Sequence, residues 1–164
     1  MPTEPIDTKT ILCLCNGNYC RSPMAEGLLR KHLAAYGEGM FRVISAGTTR
    51  YHAGEPPAPL VLQAVRRRAA PDFTYASHQV TPDEMAEADL ILAMAAEHRE
   101  WIAEYYPDAR VRTMLLSEAI GQSFDIPDPG VERAVTIEEI ADLIERCVQE
   151  GIAIIVARAQ SRPA

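Results

Sequence analysis

Basic residues are in short supply in this chain. Sixteen lysines and arginines stand against 23 aspartates and glutamates, a formal net charge of −7, so no basic face for a nucleic-acid partner is expected. Four cysteines in 164 residues are too few for a disulfide scaffold. Their positions, Cys13, Cys15, Cys20 and Cys147, match no zinc-ligand spacing either. Long apolar runs are missing as well: a run such as Ile152 to Ala157 is far too short to span a bilayer. The first nine residues carry acids and prolines where a secretory leader would carry a basic segment and an apolar core. Internal repeats and low-complexity segments are lacking too. These absences lead to the expectation of a cytoplasmic protein in a reducing compartment, without membrane or nucleic-acid partners. At ordinary hydrophobic (48%) and charged (24%) content, residues 1–164 are expected to form a single domain, loose at 1–9 and about 159–164.

What is present centres on Cys15-Asn16-Gly17-Asn18-Tyr19-Cys20-Arg21-Ser22-Pro23. The apolar run Thr10 to Leu14 leads into it as a strand. Ala25, Leu28, Leu29, His32, Leu33 and Tyr36 leave it on one face of a helix of period 3.6. A strand–loop–helix turn aims backbone N–H groups and the positive helix end at one point, which suits a phosphate. Gly17 is expected to supply positive φ, and Asn18 is among the few other residues that tolerate it. Ser22 reads as the helix N-cap with Pro23 at the first helical position. Arg21 offers a planar fork for two phosphoryl oxygens. Cys15 then sits on the floor of the cradle, where every neighbour favours negative charge, and a thiolate facing a phosphate reads as a covalent nucleophile.

Along the rest of the chain, strands are expected at 10–15, 41–45, 90–94 and 111–116. Helices are expected at 22–36, from Leu60, from Thr81, at 97–106 and from Thr136 across Gly151. Trp101, Ile102 and Tyr105 should face inward, as should His32 and Tyr36, whereas His98 and Arg66 to Arg68 should be solvated. Strands alternating with helices predict an α/β three-layer sandwich around a four-stranded parallel sheet, its phosphate-binding loop at the C-terminal end of the first strand.

Cys-x5-Arg-Ser-Pro this close to the N-terminus resembles the low-molecular-weight protein tyrosine phosphatase family. Further pieces match in order: Ser45-Ala46-Gly47-Thr48, Tyr51-His52-x-Gly54, Ser77-His78, Asp89 to Met94, and Asp128-Pro129. The resemblance runs from about Thr10 to about Val148. It implies a cofactor-free phosphatase with Cys15 as nucleophile, Arg21 as phosphate clamp and Asp128 as general acid, then base. Asn16, Gly17, Asn18, Tyr19, Cys20, Ser22 and Tyr51 would contact substrate. Asn18, Ser45 and His78 would stiffen the loop, and Cys20 would form a protective disulfide with Cys15 under oxidation. The partners implied are a phosphorylated protein or small phosphoester, with inorganic phosphate as product. No metal is implied.

Two departures and several alternatives stand beside this. Gly130 follows Asp128-Pro129 where the family usually places an aromatic cleft wall. Tyr19 stands where protein-arginine phosphatases of the same fold carry threonine, which leans against that specificity and leaves it open. An arsenate reductase would need cysteines in Thr81 to Glu100, which holds none. A phosphate-binding module without turnover is the remaining alternative. Asp125 competes with Asp128 for the acid's role; Cys13 reads as a buried structural cysteine, and the same plain packing role is the alternative for Cys15 and Cys20.

Overall fold

The computed structural model describes residues 3–162. Its strands, β1 (Lys9–Cys15), β2 (Phe41–Gly47), β3 (Leu90–Ala93) and β4 (Thr113–Leu115), form one parallel sheet in the order β2-β1-β3-β4. Parallel neighbours cannot be joined by tight hairpins, so helices cross between them. The helix α1 (Arg21–Leu33) links β1 to β2, α2 (Pro59–Arg68) and α3 (Pro82–Glu87) link β2 to β3, and α4 (Ala96–Tyr105) links β3 to β4. The long α5 (Ile137–Gln160) closes the chain. None of the helices among the described residues is long and apolar enough to cross a membrane.

Strand alternation divides the core in two. Ile11, Cys13, Leu90 and Leu92 face α1, α2 and α5, while Leu12, Leu14 and Ile91 face Met85 of α3 and Ile102 of α4. This is the expected three-layer α/β architecture. The central strand β1 pairs with β2 on one side, Cys13 opposite Ser45, and with β3 on the other. Its C-terminal residue, Cys15, therefore opens into the crevice where the strand order reverses, the usual ligand position in such sheets.

Several boundaries and faces differ from expectation. Tyr36 lies in a 3₁₀ turn after α1 has ended and is exposed, its ring edge-on to Phe41. The fourth strand is only three residues long, because Pro107–Arg112 winds as a 3₁₀ turn that leaves Val111 in solvent. On α4, Ile102 is buried, but Tyr105 is exposed. Both Tyr105 and Tyr106 lie against Trp101, with ring centroids 5.2 and 5.6 Å from it. His32 is half-buried, its Nε2 enclosed without a partner among the described residues.

Arg68 is not solvated: it is tucked between α2 and α5, 2.6 Å from Glu138 and 2.7 Å from Asp142. The helix α5 runs unbroken through Gly151, where a Cβ would stand 2.5 Å from that of Ala119, so only glycine permits this approach. The ends are tied down more than expected. Lys9 already belongs to β1 and Thr8 donates to the Gly39 carbonyl at 2.7 Å. Ala159 is buried in α5, and Arg162 donates to the Ala86 carbonyl at 3.0 Å. The remaining terminal positions of the expected loose segments, 1–2 and 163–164, lie outside the described residues.

Candidate active site

Five residues separate the end of β1 from the start of α1, and they curl tightly around one point. Asn18, at φ 53°, carries the left-handed turn that Gly17 was expected to supply. Gly17 is required for a different reason: a Cβ there would meet His52 Cδ2 at 2.5 Å. The helix starts one residue earlier than expected, with Arg21 first and Cys20 at the N-cap. No side chain among the described residues caps it, and Pro23 falls at the third helical position. Ser22 is drawn away from capping by the sulfur, its Oγ 3.0 Å from Cys15 Sγ.

Counting protons shows which groups leave the Ser22 hydroxyl its own hydrogen. Glu26, buried on the inner face of α1, has its Oε2 3.0 Å from Arg30, and its Oε1 accepts from the Ser45 hydroxyl at 2.7 Å. Having given its one proton to Glu26, Ser45 Oγ can only accept from Asn18 Nδ2, at 2.9 Å. The other Nδ2 hydrogen of Asn18 goes to Ser22 Oγ, also at 2.9 Å. Ser22 therefore keeps its own proton, with Cys15 Sγ at 3.0 Å and the Ala46 carbonyl at 3.4 Å as its acceptors; toward a Cys15 thiolate, which has no proton, Ser22 is the donor. Burial pushes the Glu26 carboxyl up, opposed by Arg30 and Ser45. Glu26 was not singled out in the sequence. Its only local signal is its spacing, four residues after Ser22 and four before Arg30.

Asn18 is held from further directions. Its Oδ1 accepts from the His78 backbone N–H at 3.2 Å and its carbonyl from Ser77 Oγ at 2.6 Å. The support from His78 is thus main-chain; its ring points instead to the Ala76 carbonyl (3.0 Å) and Glu84 (2.7 Å). Burial opposes charging of this imidazole, but those two acceptors prevail and raise its pKa. The next residue, Tyr19, has its carbonyl fixed by the Tyr75 hydroxyl at 2.6 Å.

Arg21 is buried and points across the crevice, donating to the Ile126 carbonyl at 3.0 Å and lying 3.4 Å from Asp128 Oδ2. Asp128 Oδ1 accepts from the Gly130 N–H at 2.8 Å. A Cβ at Gly130 would sit 3.2 Å from that oxygen, so a larger residue would press on the carboxylate. Asp125, the competing acid, has its Oδ1 bound to the Ala96 N–H at 2.9 Å. Cys20 is mostly enclosed, and burial, reinforced by Cys15 and Asp128, pushes its thiol up to about 12.

His98 is the largest departure from expectation, since it is buried rather than solvated. Its Nδ1 accepts from the Ala95 N–H at 3.1 Å. Nε2 must therefore carry the proton, which goes to Asn16 Oδ1 at 3.2 Å. Burial, assisted by the nearby Arg21 charge, drops its pKa to about 3 and keeps it neutral. The sequence hides this residue among charged neighbours.

Asn16, Gly17, Tyr19, Cys20 and Tyr51 line a single cavity of about 990 Å³ with Cys15, Arg21 and Asp128. Asn18, Ser22, Ser45 and His78 stand behind it. Tyr19 stacks on His52 at 4.1 Å, and Tyr51 meets His52 edge-on at 4.8 Å. A thiol, a buried guanidinium and a carboxylate thus converge on one opening, with uncapped helix N–H groups beneath.

Comparisons with known proteins point to one family. The low molecular weight protein-tyrosine-phosphatase Etp of Escherichia coli (strain K12) is 33% identical over 142 residues, covering 86% of this chain and 90% of Etp. The crystal structure of YfkJ from Bacillus subtilis superposes with a TM-score of 0.81 at 29% identity, covering 92% of this chain and 96% of YfkJ. The YwlE arginine phosphatase from Geobacillus stearothermophilus gives a TM-score of 0.76 at 25% identity, over 95% of this chain and 99% of its own. Residues 10–160 match the family described as low molecular weight phosphotyrosine protein phosphatase, and the chain belongs to that family.

Proposed function

We propose that the chain, acting as one domain in a reducing, cytoplasmic setting, hydrolyses phosphate monoesters through a cysteinyl-phosphate, with phosphotyrosine in proteins as its main substrate. Arg21 and the loop N–H groups bind the phosphoryl oxygens and hold them as charge spreads in the transition state. Ser22 donates to Cys15 Sγ, stabilising the thiolate that attacks phosphorus. Asp128 protonates the departing oxygen, then takes a proton from the water that cleaves the S–P bond and releases inorganic phosphate. Tyr19 and Tyr51 offer aromatic faces to the substrate ring. Cys20, kept as a thiol by burial, is available to trap an oxidised Cys15 as a disulfide.

The observation that carries this proposal is the convergence on one cavity of Cys15, 3.0 Å from Ser22, with Arg21 and Asp128, 3.4 Å apart. Hydrolysis of p-nitrophenyl phosphate at pH 5–7 without added metal tests it. Wild-type turnover should vanish in Cys15→Ser, while inorganic phosphate still binds that variant. Activity in Cys15→Ser within tenfold of wild type would remove the covalent mechanism. The likeness to the arginine phosphatase YwlE supports a second specificity, and matched phosphotyrosine and phosphoarginine peptides separate the two.

A further inference from the structure

Three large apolar side chains left in solvent stand around the mouth of the same cavity: Tyr51 is 81% exposed, Leu60 61% and Val131 76%. Leu60 is in the first turn of the helix α2, and Tyr51 and Val131 are in turns, that of Val131 closed by its own N–H on the Asp128 carbonyl at 3.0 Å. Behind them, Val135 and Ile137 form the far end of the cavity at the start of α5. Exposed apolar groups gathered at one place mark interaction surfaces, whereas scattered ones do not.

The cavity, at about 990 Å³, is at the upper end of small-molecule sites and larger than a single phosphorylated tyrosine side chain fills. Gly130 leaves the passage from Asp128 to Val131 open, and its missing side chain also spares the Asp128 carboxylate. Among the described residues that line the cavity, Arg21 and Asp128 are the formally charged ones, and the proposed mechanism commits both to the phosphoryl group. A charged substrate side chain at the far end would lose water without gaining a partner.

Resting on the phosphatase function above, we propose that this end of the cavity receives a bulky apolar side chain two residues from the phosphotyrosine of a protein substrate. In an extended chain, side chains two residues apart point the same way, so both descend from one face of the bound peptide. The enzyme thereby selects phosphotyrosine in an apolar sequence over the same residue flanked by charge.

The experiment compares kcat/KM for three phosphotyrosine peptides bearing Leu, Asp or Lys at both −2 and +2, with p-nitrophenyl phosphate as the reference. The Leu peptide should lead the other two by on the order of tenfold. Leu60→Asp and Val131→Asp, both at exposed positions that folding tolerates, should each cut the ratio of Leu-peptide to p-nitrophenyl phosphate kcat/KM about tenfold. Equal kcat/KM for the three peptides, or an unchanged ratio in both variants, overturns the inference while leaving the phosphatase intact. Failure of wild type on p-nitrophenyl phosphate itself would instead overturn the phosphatase function. A dimer in sedimentation that Leu60→Asp disperses would give the patch to a second copy of the chain and also overturn the assignment.

Discussion

The two loops that meet at the crevice are built on opposite principles. The Cys15 loop is over-determined: Asn18 is fully buried and bonded by its side chain to Ser22 and Ser45, by its Oδ1 to His78 and by its carbonyl to Ser77. The backbone of the Asp128 loop is anchored at its root. Ile126 donates to the Met94 carbonyl at 2.8 Å and Asp125 accepts from Ala96. From Asp128 to Glu132 the backbone contacts are those of its own turn, with Val131 and Glu132 both donating to the Asp128 carbonyl. A phosphate cradle gains from fixed dipoles that need no reorganisation during reaction. The acid role proposed for Asp128 needs only a hinge and a partner, and Arg21 is 3.4 Å away.

The contrast predicts where substitutions act. Asp128→Asn keeps the turn and removes the proton, so kcat should fall by roughly 10²–10⁴-fold, most for alkyl phosphates and least for p-nitrophenyl phosphate. A loss independent of the leaving group would show that Asp128 acts only through its contact with Arg21.

Glu26→Gln comes next in size. A glutamine amide can present its N–H₂ to Ser45, and the freed Ser45 proton then faces Asn18 Nδ2, which cannot accept it, so the contacts that hold Asn18 and Ser22 are disturbed. Expected results are a fall in kcat of about tenfold and a stability cost of about 1–3 kcal/mol, the scale of a disturbed buried hydrogen bond. Pre-steady-state release of p-nitrophenol measures the thiolate attack directly. If that step keeps its wild-type rate, the orientation of Ser22 does not depend on Glu26.

How much of this was legible follows from distance along the chain. The strand, the Cys-x5-Arg loop and the helix occupy 25 consecutive positions, from Lys9 to Leu33, and local rules read them well. Asp128 was legible because two prolines frame it and because of the family resemblance. Ser22 was misassigned because capping logic is local, whereas the sulfur that claims its hydroxyl arrives through strand–helix packing. Glu26 depends on Ser45, 19 residues away, and His98 on Asn16, 82 residues away. No periodicity carries such pairings. The surface assignments of His98 and Arg68 failed similarly: neighbouring charges suggested solvent, but tertiary packing buried His98 and laid Arg68, half-buried, against the acids of α5.

His98 joins the two loops, and the smallest predicted effect tests that role. Its Nε2–H holds Asn16 in the Cys15 loop, while its Nδ1 holds Ala95, next to the Ala96 N–H that anchors Asp125. Two variants divide these bonds: Gln can place an amide N–H near the position of Nε2, and Asn an oxygen near that of Nδ1. If the contact with Asn16 matters most, His98→Gln retains more kcat than His98→Asn; the reverse order would make His98 a simple helix cap. The titration provides a second readout. With a folded pKa of about 3 against 6.5 for free imidazole, the unfolded chain takes up a proton below pH 6.5 that the folded chain refuses. This single group therefore costs stability as pH falls from 6.5 toward 3, by about 1.4 kcal/mol per pH unit, and nothing above 6.5. His98→Gln has no such titration, so between pH 7 and pH 5 wild type should lose about 2 kcal/mol more stability than the variant. Denaturant midpoints at the two pH values measure it. Parallel losses would mean that His98 takes up its proton inside the folded protein, and then the Ala95 bond cannot be what fixes its tautomer.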